Sequence, residues 1–138
     1  GKRGGVMKRP IRFVVIDDDR INNMLCKIVI EKVASKCEIK TFESPEEGLE
    51  YFQKGYTANG VPTVLFLDIN MPTWSGWEYL FYFDSLDKDI KDQVIIFMLS
   101  SSIDPSDKQR AFDNRNVTGY LEKPITTEKI ETILEGWD

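Results

Sequence analysis

Three short, mostly apolar segments of this chain each end at a charged residue. They are residues 13–16 followed by Asp17, residues 64–67 followed by Asp68, and residues 119–122 followed by Lys123. Segments of about four to eight such residues are typical of buried strands in a parallel sheet. The carboxyl ends of these strands share one edge of the sheet, where ligands bind. The pattern therefore predicts a parallel sheet that carries acids and a lysine at one edge.

Strand and helix signals alternate along the chain. The predicted strands are 8–17, 38–42, 63–68, 94–100 and 118–122, and the predicted helices are 19–34, 44–54, 77–86, 104–113 and a last one capped by Thr126 or Thr127. Strict alternation implies a parallel sheet with helices on both faces. The predicted fold class is therefore α/β, with a doubly wound five-stranded parallel sheet.

Apolar side chains recur at helical spacing in the first predicted helix. They are Ile21, Leu25, Ile28, Val29 and Val33. A stripe with this spacing normally packs against the core of a protein. We therefore expect these side chains to face the sheet.

Length and charge narrow the class of protein. The 138 residues suffice for one compact domain, which we place at residues 8–138, with residues 1–7 as a tag remnant or disordered tail. A net charge of −5 argues against a nucleic-acid-binding surface. No apolar stretch approaches the roughly 18 residues needed to span a membrane, and residues 1–6 lack the apolar core of a signal peptide. We expect a cytoplasmic protein without membrane contact.

Residue types exclude several kinds of site. The sequence contains no histidine, which excludes a Ser-His-Asp triad, a histidine metal site and a phosphohistidine on this chain. Its two cysteines, Cys26 and Cys37, are expected to be reduced thiols rather than a disulfide.

The acids at the predicted edge suit a hard divalent cation. Asp17, Asp18 and Asp19 are consecutive, so one of them would cap the following helix or face solvent. If Asp17, Asp18 and Asp68 converge within about 5 Å, each pair repels by roughly 3 kcal/mol at an effective dielectric of about 20. A bound Mg²⁺ would relieve that repulsion. The alternative is that the triplet is only a polar turn at a helix start.

Three residues have the chemistry to handle a phosphoryl group. The Asp68 carboxylate could accept one as an acyl phosphate, or could only cap a turn. The hydroxyl of Ser100 could bond a phosphate oxygen, or belong to a polar loop. Lys123 could act as a point charge for phosphate, or be an ordinary surface lysine. Their shared placement at the carboxyl ends of strands favours the functional interpretation.

The aromatic residues divide into two groups. Those in and before the third helix are expected to pack in the core or at its edge rather than bind a cofactor. They are Trp74, Trp77, Tyr79, Phe81, Tyr82 and Phe83. Tyr120 lies on the last strand near the predicted site, where edge packing and a switching role are both open.

With these features together, the sequence resembles the receiver domains of two-component response regulators, including the chemotaxis regulators. The resemblance covers residues 11–134. The matching positions are Asp17 and Asp18 for the acidic pair, Asp68 for the phosphoacceptor with Gly76 after it, Ser100 for the switch hydroxyl, Tyr120 for the switch aromatic, and Lys123 before Pro124.

The resemblance implies that Asp68 accepts a phosphoryl group from a sensor histidine kinase or a histidine phosphotransfer protein, assisted by Lys123 and Ser100. It implies a flavodoxin-like strand order, 2-1-3-4-5, and a cis peptide bond before Pro124. The protein would catalyse only its own phosphorylation and dephosphorylation, so it would not be an enzyme acting on other substrates.

The resemblance also implies a metal and its ligands. Mg²⁺, with Mn²⁺ as an alternative, would be held by Asp18 and Asp68. Asp17 would bind it largely through water, and the backbone carbonyl of Asn70 would complete the protein ligands.

A switch is the further implication of the resemblance. Ser100 would move to the phosphoryl group and Tyr120 would rotate into the space left behind, which changes the surface that a downstream protein recognises. Asn70 and Ser101 would tune the lifetime of the phosphorylated form. The chain would act as a monomer or as a phosphorylation-dependent homodimer. The sequence identifies neither the kinase nor the output, nor whether the receiver stands alone or is part of a longer protein.

Three other classes of protein share part of this pattern. A degenerate receiver-like binding module would not need the complete set of acids, serine and lysine. A phosphatase of the haloacid dehalogenase type matches the spacing of Asp17 and Asp19, but it would leave Asp68 unexplained and needs a longer chain. A flavodoxin needs a hydroxyl-rich phosphate loop after the first strand, which this sequence lacks.

Overall fold

One parallel sheet organises the molecule. The computed structural model describes residues 12–136, in which five strands pair in the order β2-β1-β3-β4-β5. The strands are β1 (Arg12–Ile16), β2 (Glu38–Phe42), β3 (Thr63–Asp68), β4 (Val94–Ser100) and β5 (Val117–Glu122). Every neighbouring pair is parallel, which confirms the predicted fold class and strand order.

Helices connect the strands. They are α1 (Arg20–Val33), α2 (Pro45–Glu50), α3 (Gly76–Phe83), α4 (Lys88–Lys91), α5 (Pro105–Asp113) and α6 (Thr127–Glu135). Thr126 is the N-cap of α6, so the first of the two predicted caps is the one used. The short helix α4 was not predicted. The chain from Tyr51 to Gly55 continues α2 as a wider π-helical turn, where an ordinary helix to residue 54 was expected.

The third helix begins one residue before the predicted start. Ser75 is its N-cap and accepts a hydrogen bond from the Glu78 amide, while the Glu78 carboxylate accepts one from the Ser75 amide. This reciprocal capping box satisfies amides at the helix start that would otherwise lack partners. Gly76 is consequently the first helical residue.

Buried side chains form a core on each face of the sheet. On one face, β1, β3 and β4 pack against α1 and α6 through a core that includes Phe13, Val15, Cys26, Ile30, Phe66, Leu99, Ile130 and Ile133. On the other, the strands pack against α2, α3 and α5 through Val14, Ile16, Leu49, Leu65, Leu67, Tyr79, Leu80, Met98 and Ala111. The helices therefore cover both faces, as predicted.

The prediction for the buried face of α1 was wrong for three of its five residues. Ile21, Leu25 and Ile28 are exposed. Val29 and Val33 are partly buried and pack against the core. The buried positions are Asn22, Asn23, Cys26 and Ile30. Positions 22, 26 and 30 are four apart and form one helical row. The first turn of α1 thus buries Asn22 and Asn23. The apolar side chains of Ile21, Leu25 and Ile28 lie on the exposed face instead.

Several predictions fall outside the described residues. These are the tag remnant or tail at residues 1–7, the first residues of the predicted strand from residue 8, and the end of the domain at residues 137–138. Within residues 12–136, no helix has the length and apolar character that crossing a membrane requires. Cys26 and Cys37 do not form a disulfide.

Candidate functional site

The strand order brings the predicted site residues to one edge of the sheet. Asp17 directly follows β1, Asp68 ends β3, Ser100 ends β4 and Lys123 directly follows β5. The Lys123 amide donates to the Ser100 carbonyl at 2.8 Å, which ties the end of β5 to the end of β4. Because these strands are parallel, their carboxyl ends place all four side chains at the same edge of the sheet.

Lys123 joins the two buried carboxylates. Its Nζ lies 2.9 Å from Asp17 Oδ2 and 3.2 Å from Asp68 Oδ1. Asp17 is fully buried and Asp68 is 3% exposed, whereas the Lys123 side chain is 16% exposed. These are charge-assisted contacts in a poorly solvated place, so they are stronger than ion pairs on an open surface.

Burial and charge shift the pKa values in this group. Burial, reinforced by the neighbouring Asp17 charge, raises the pKa of Asp68 above its ordinary value, although Lys123 opposes that shift. Burial lowers the pKa of Lys123, but its hydrogen bonds and charge interactions with Asp17 and Asp68 outweigh burial and leave that pKa raised. Two carboxylates that share one ammonium thus leave excess negative charge at the edge, which favours binding of a cation.

The acids have the arrangement of a metal site. Asp17, Asp18 and Asp68 each offer a carboxylate oxygen, and these oxygens all lie within 4.8 Å of one another. Asp18 is exposed and the other two are buried, so the cluster opens toward solvent on one side. A set made only of oxygen donors, with room for water, fits Mg²⁺ better than a softer metal. Asp19 caps α1 by accepting from the Ile21 and Asn22 amides, as expected for one member of the triplet.

The turn after β3 supports Asp68. Interaction with the Asn70 backbone lowers the pKa of the Asp68 carboxyl group against the effect of burial. Gly76 at the start of α3 lies against the same turn, because a Cβ added there would be 2.7 Å from the Asp68 carbonyl oxygen. Its amide also donates to the Ile69 carbonyl at 2.8 Å. A side chain at residue 76 would therefore displace the backbone that carries Asp68.

Ser100 and Tyr120 both contact the loop between β4 and α5. The Ser100 hydroxyl donates to the Ser102 carbonyl at 2.6 Å. The Tyr120 hydroxyl donates to that same carbonyl at 3.3 Å and accepts from the Asp104 amide at 3.2 Å. Asp104 is the N-cap of α5, so the two predicted switch residues share a loop that leads directly into a helix.

A shallow groove leads from solvent to Lys123. It is lined by Asp19, Ile21, Asn22, Leu25, Ser101, Lys123 and Pro124. The peptide bond between Lys123 and Pro124 is cis, as the resemblance implied. Ser101 and Asn70, the predicted tuning residues, are both exposed. The apolar face of α1 borders the groove, so the exposed stripe begins at the site.

Two consecutive asparagines belong to the site and were not predicted. Asn22 Nδ2 donates to Asp17 Oδ2 at 2.8 Å, and Asn23 Nδ2 donates to the Asp17 carbonyl at 2.9 Å. Both are buried, which is unusual for asparagine. The available signal was that Asn22 begins a row, continued by Cys26 and Ile30, that is otherwise apolar.

The aromatic residues of α3 pack largely as expected. Tyr79 and Phe83 are buried in the core, and the ring of Tyr82 stacks on that of Trp74 with centroids 4.5 Å apart. Phe81 is an exception, since it is 76% exposed.

Comparison with known proteins gives one family. The family described as the response regulator receiver domain matches residues 13–135. A two-component response regulator from Cytophaga hutchinsonii is 30% identical, with 94% of this chain and 96% of that chain covered and a TM-score of 0.83.

Two less similar structures share the fold. A response regulator receiver protein from Dyadobacter fermentans is 24% identical, covering 91% of this chain and 96% of that one, with a TM-score of 0.81. The chemotaxis protein CheY4 of Vibrio cholerae is 22% identical, covering 94% and 99%, with a TM-score of 0.73. Among curated protein sequences, none matches.

Proposed function

Because the chain belongs to the response regulator receiver domain family, we propose that Asp68 accepts a phosphoryl group in a Mg²⁺-dependent transfer and thereby switches a protein-interaction surface. Receiver domains interact with histidine kinases or histidine phosphotransfer proteins, and we propose a phosphohistidine in such a protein as the donor. The observation that carries the proposal is the position of Lys123 Nζ, 2.9 Å from Asp17 and 3.2 Å from Asp68. A lysine held between two buried acids is placed to neutralise an incoming phosphoryl group.

The transfer follows from the chemistry of these groups. A carboxylate oxygen of Asp68 attacks phosphorus and forms the P–O bond of an acyl phosphate. The P–N bond of the donor breaks, and its electron pair returns to the imidazole nitrogen. Lys123, which contacts the Asp68 carboxylate in the resting protein, then pairs with the phosphoryl oxygens instead. Bound Mg²⁺ would supply further neutralisation of phosphoryl charge, held by Asp18, Asp68 and the Asn70 carbonyl and by Asp17 largely through water.

The hydrogen bonds favour Asp68 over Asp17 as the acceptor. The Asp17 carboxylate accepts from three donors, the Asp19 amide, Asn22 and Lys123. The Asp68 carboxylate makes an ion pair with Lys123 and interacts with the Asn70 backbone. An oxygen already committed to several donors is a poorer nucleophile, so Asp17 is better suited to hold the charge than to attack.

The donor protein would dock on the exposed face of α1. Ile21 and Leu25 line the groove that leads to Lys123, and they are 63% and 46% exposed. A protein that presents a phosphohistidine at this groove must also cover those apolar side chains. Burial of apolar area beside the reacting atoms would supply binding energy without touching the acids.

Phosphorylation would act outward through Ser100 and Tyr120. Recruitment of the Ser100 hydroxyl to the phosphoryl group would leave the Ser102 carbonyl with the Tyr120 donor alone and alter the loop that leads into α5. A downstream protein would recognise the changed surface of α5, β5 and α6, with the chain as a monomer or as a phosphorylation-dependent homodimer. We place this activity in the cytoplasm. The protein would turn over no other substrate. Asn70 and Ser101 would tune the lifetime of the acyl phosphate.

Intact-mass spectrometry after incubation with acetyl phosphate tests the proposal. We expect a single phosphoryl adduct that requires Mg²⁺ and is absent in Asp68→Asn. Asp89→Asn is the matched control, because Asp89 lies in α4 just before β4 and hence at the opposite edge of the sheet. An unmodified wild-type chain, or an equal adduct on Asp68→Asn, would refute the assignment of Asp68.

A further inference from the structure

Asp17 is held by a neutral donor as well as by a cation. Its Oδ2 accepts from Asn22 Nδ2 at 2.8 Å and from Lys123 Nζ at 2.9 Å. Its Oδ1 accepts from the Asp19 amide at 2.9 Å. One oxygen of this fully buried carboxylate is therefore shared between an amide and an ammonium group.

The two consecutive asparagines at the start of α1 bind different kinds of group. Asn23 Nδ2 donates to main-chain oxygens, those of Asp17 at 2.9 Å and Phe42 at 3.3 Å. Asn22 Nδ2 instead contacts side chains, namely the Asp17 carboxylate and, at 3.6 Å, Cys26 Sγ. Asn23 therefore fixes the backbone between β1 and α1, whereas Asn22 fixes the direction of the carboxylate.

The shorter of the two Asn22 side-chain contacts, the one to Asp17, accounts for its burial. Asn22 is 7% exposed, and a buried amide is costly unless its hydrogen bonds are made. The polar atom of Asn22 is directed at Asp17, so its contribution is to the acidic edge rather than to the core.

We propose that Asn22 is a positioning residue that keeps the Asp17 carboxylate oriented, both in the resting protein and when Lys123 turns to the phosphoryl group. This inference rests on the proposed function. In the resting protein Lys123 shares its charge between Asp17 and Asp68. Once a phosphoryl group is present, Lys123 has a stronger anionic partner, and Asp17 Oδ2 keeps only the donor from Asn22. A neutral amide can hold the carboxylate without competing for the phosphoryl charge.

Asn22→Ala tests this role against a matched partner, Asn23→Ala. Both remove a buried amide from the first turn of α1, so both should lower the melting temperature. We expect Asn22→Ala to weaken Mg²⁺ binding, measured by isothermal titration calorimetry on the unphosphorylated protein, by about tenfold, the effect of one buried hydrogen bond to a charged group. The weakening should exceed that in Asn23→Ala at least fivefold. Met24→Ala, on the exposed side of the same helix, should leave Mg²⁺ affinity unchanged.

A metal-free measurement separates orientation from metal affinity. The Asp19 amide donates to the other oxygen of Asp17, so its ¹⁵N–¹H signal reports how the carboxylate is turned. We expect this signal to move in Asn22→Ala without Mg²⁺, and to move less in Asn23→Ala. If Asn22→Ala does not fold, Asn22→Ser carries the same measurements, with the same direction expected from its shorter side chain.

The outcomes are distinct. Equal Mg²⁺ affinities and an unmoved Asp19 signal in the Asn22 variant overturn the positioning role, even if stability falls. A wild-type protein that neither binds Mg²⁺ nor accepts phosphate from acetyl phosphate contradicts the proposed function instead.

Discussion

The hydroxyl groups of Ser100 and Tyr120 donate to the same acceptor, the carbonyl of Ser102. Ser100 is almost fully buried at the end of β4, and Tyr120 is partly buried on β5, an outermost strand of the sheet. A carbonyl oxygen has two lone pairs and can accept both. Release of one donor changes what holds the loop, so the two side chains are coupled through one backbone atom rather than only through packing.

Ser100→Ala should accept a phosphoryl group at Asp68 but lose the conformational response of the loop. The hydroxyl that would move to the phosphoryl group is absent, so the Ser102 carbonyl has only the Tyr120 donor both before and after phosphorylation. Amide chemical shifts of residues 101–104, recorded with and without acetyl phosphate and Mg²⁺, measure the response. Ser106→Ala, which alters an exposed serine in α5, should respond like wild type. A full response in Ser100→Ala would contradict the coupling.

Tyr120→Phe should loosen the start of α5. The change removes the acceptor of the Asp104 amide and one donor to the Ser102 carbonyl. A hydrogen bond of this kind contributes about 0.5–1.5 kcal/mol, so exchange of the Asp104 amide with solvent should accelerate by about two- to tenfold. Tyr82→Phe removes the hydroxyl of a different tyrosine, one that is exposed, and should not affect the Asp104 amide. Unchanged exchange in Tyr120→Phe would show that the loop is held by other contacts.

Asp68→Asn should stabilise the metal-free protein at neutral pH. The folded-state pKa of Asp68 is raised, so the unfolded chain ionises at lower pH than the folded one. The cost to the folded state is absent below the ordinary carboxyl pKa, grows as pH rises above it, and is complete above the raised pKa. Relief of the repulsion from Asp17, partly offset by loss of the contact with Lys123, should stabilise the variant by about 1–3 kcal/mol.

Urea unfolding in the presence of a chelator measures this difference. The advantage of Asp68→Asn should be largest at pH 7.5 and should shrink as the pH falls toward 4. Added Mg²⁺ should stabilise wild type more than the variant. A variant that is less stable than wild type at pH 7.5 would mean that the contact with Lys123 outweighs burial and repulsion.

Gly76→Ala should destabilise the protein and slow phosphorylation together. The new Cβ would lie 2.7 Å from the Asp68 carbonyl oxygen and 2.8 Å from Met98 Cε, so the backbone at Asp68 must shift. Overpacking of this kind costs about 1–3 kcal/mol. Gly55→Ala is the comparison, because its nearest neighbour would be the Tyr51 ring at 3.3 Å. Thermal unfolding and the rate of the acetyl phosphate reaction check the two effects. A melting temperature and a rate equal to those of wild type would mean that the turn after β3 accommodates the added Cβ.

Substitution of Asn70 or Ser101 should change the lifetime of the phosphorylated form without abolishing phosphorylation. Both side chains are exposed beside the carboxyl ends of β3 and β4, where a water molecule would approach the acyl phosphate. Decay of the phosphoryl adduct in Asn70→Ala and Ser101→Ala, followed by intact mass, should differ from wild type by several-fold. Identical decay in all three proteins would remove these residues from the path of the water.

The buried strands and the ends that carry the site were predictable from sequence. The bounds of β2, β3 and β4 agree with prediction, and the acids, serine and lysine lie at the expected edge. A continuous apolar segment has few alternatives to a buried strand, and the strand order then fixes which ends meet.

The orientation of α1 was not predictable in the same way. Two rows on this helix, one through Ile21, Leu25 and Ile28 and one through Cys26 and Ile30, both have helical spacing. The choice between them depends on Asn22 and Asn23, whose partners are the Asp17 carboxylate and main-chain oxygens of β1 and β2. Such partners appear only when the strands have assembled, so periodicity alone placed Ile21, Leu25 and Ile28 on the wrong face.

The contact between Lys123 and Asp17 joins residues 106 positions apart, from opposite ends of the chain. It spans β3 and β4, which lie between β1 and β5 in the sheet. A chain still emerging from the ribosome, or one that has lost its last strand, holds its acids without the ammonium group that balances them. The charge balance of these acids is therefore a property of the complete five-stranded sheet, and the proposed acceptance of a phosphoryl group would depend on all of it.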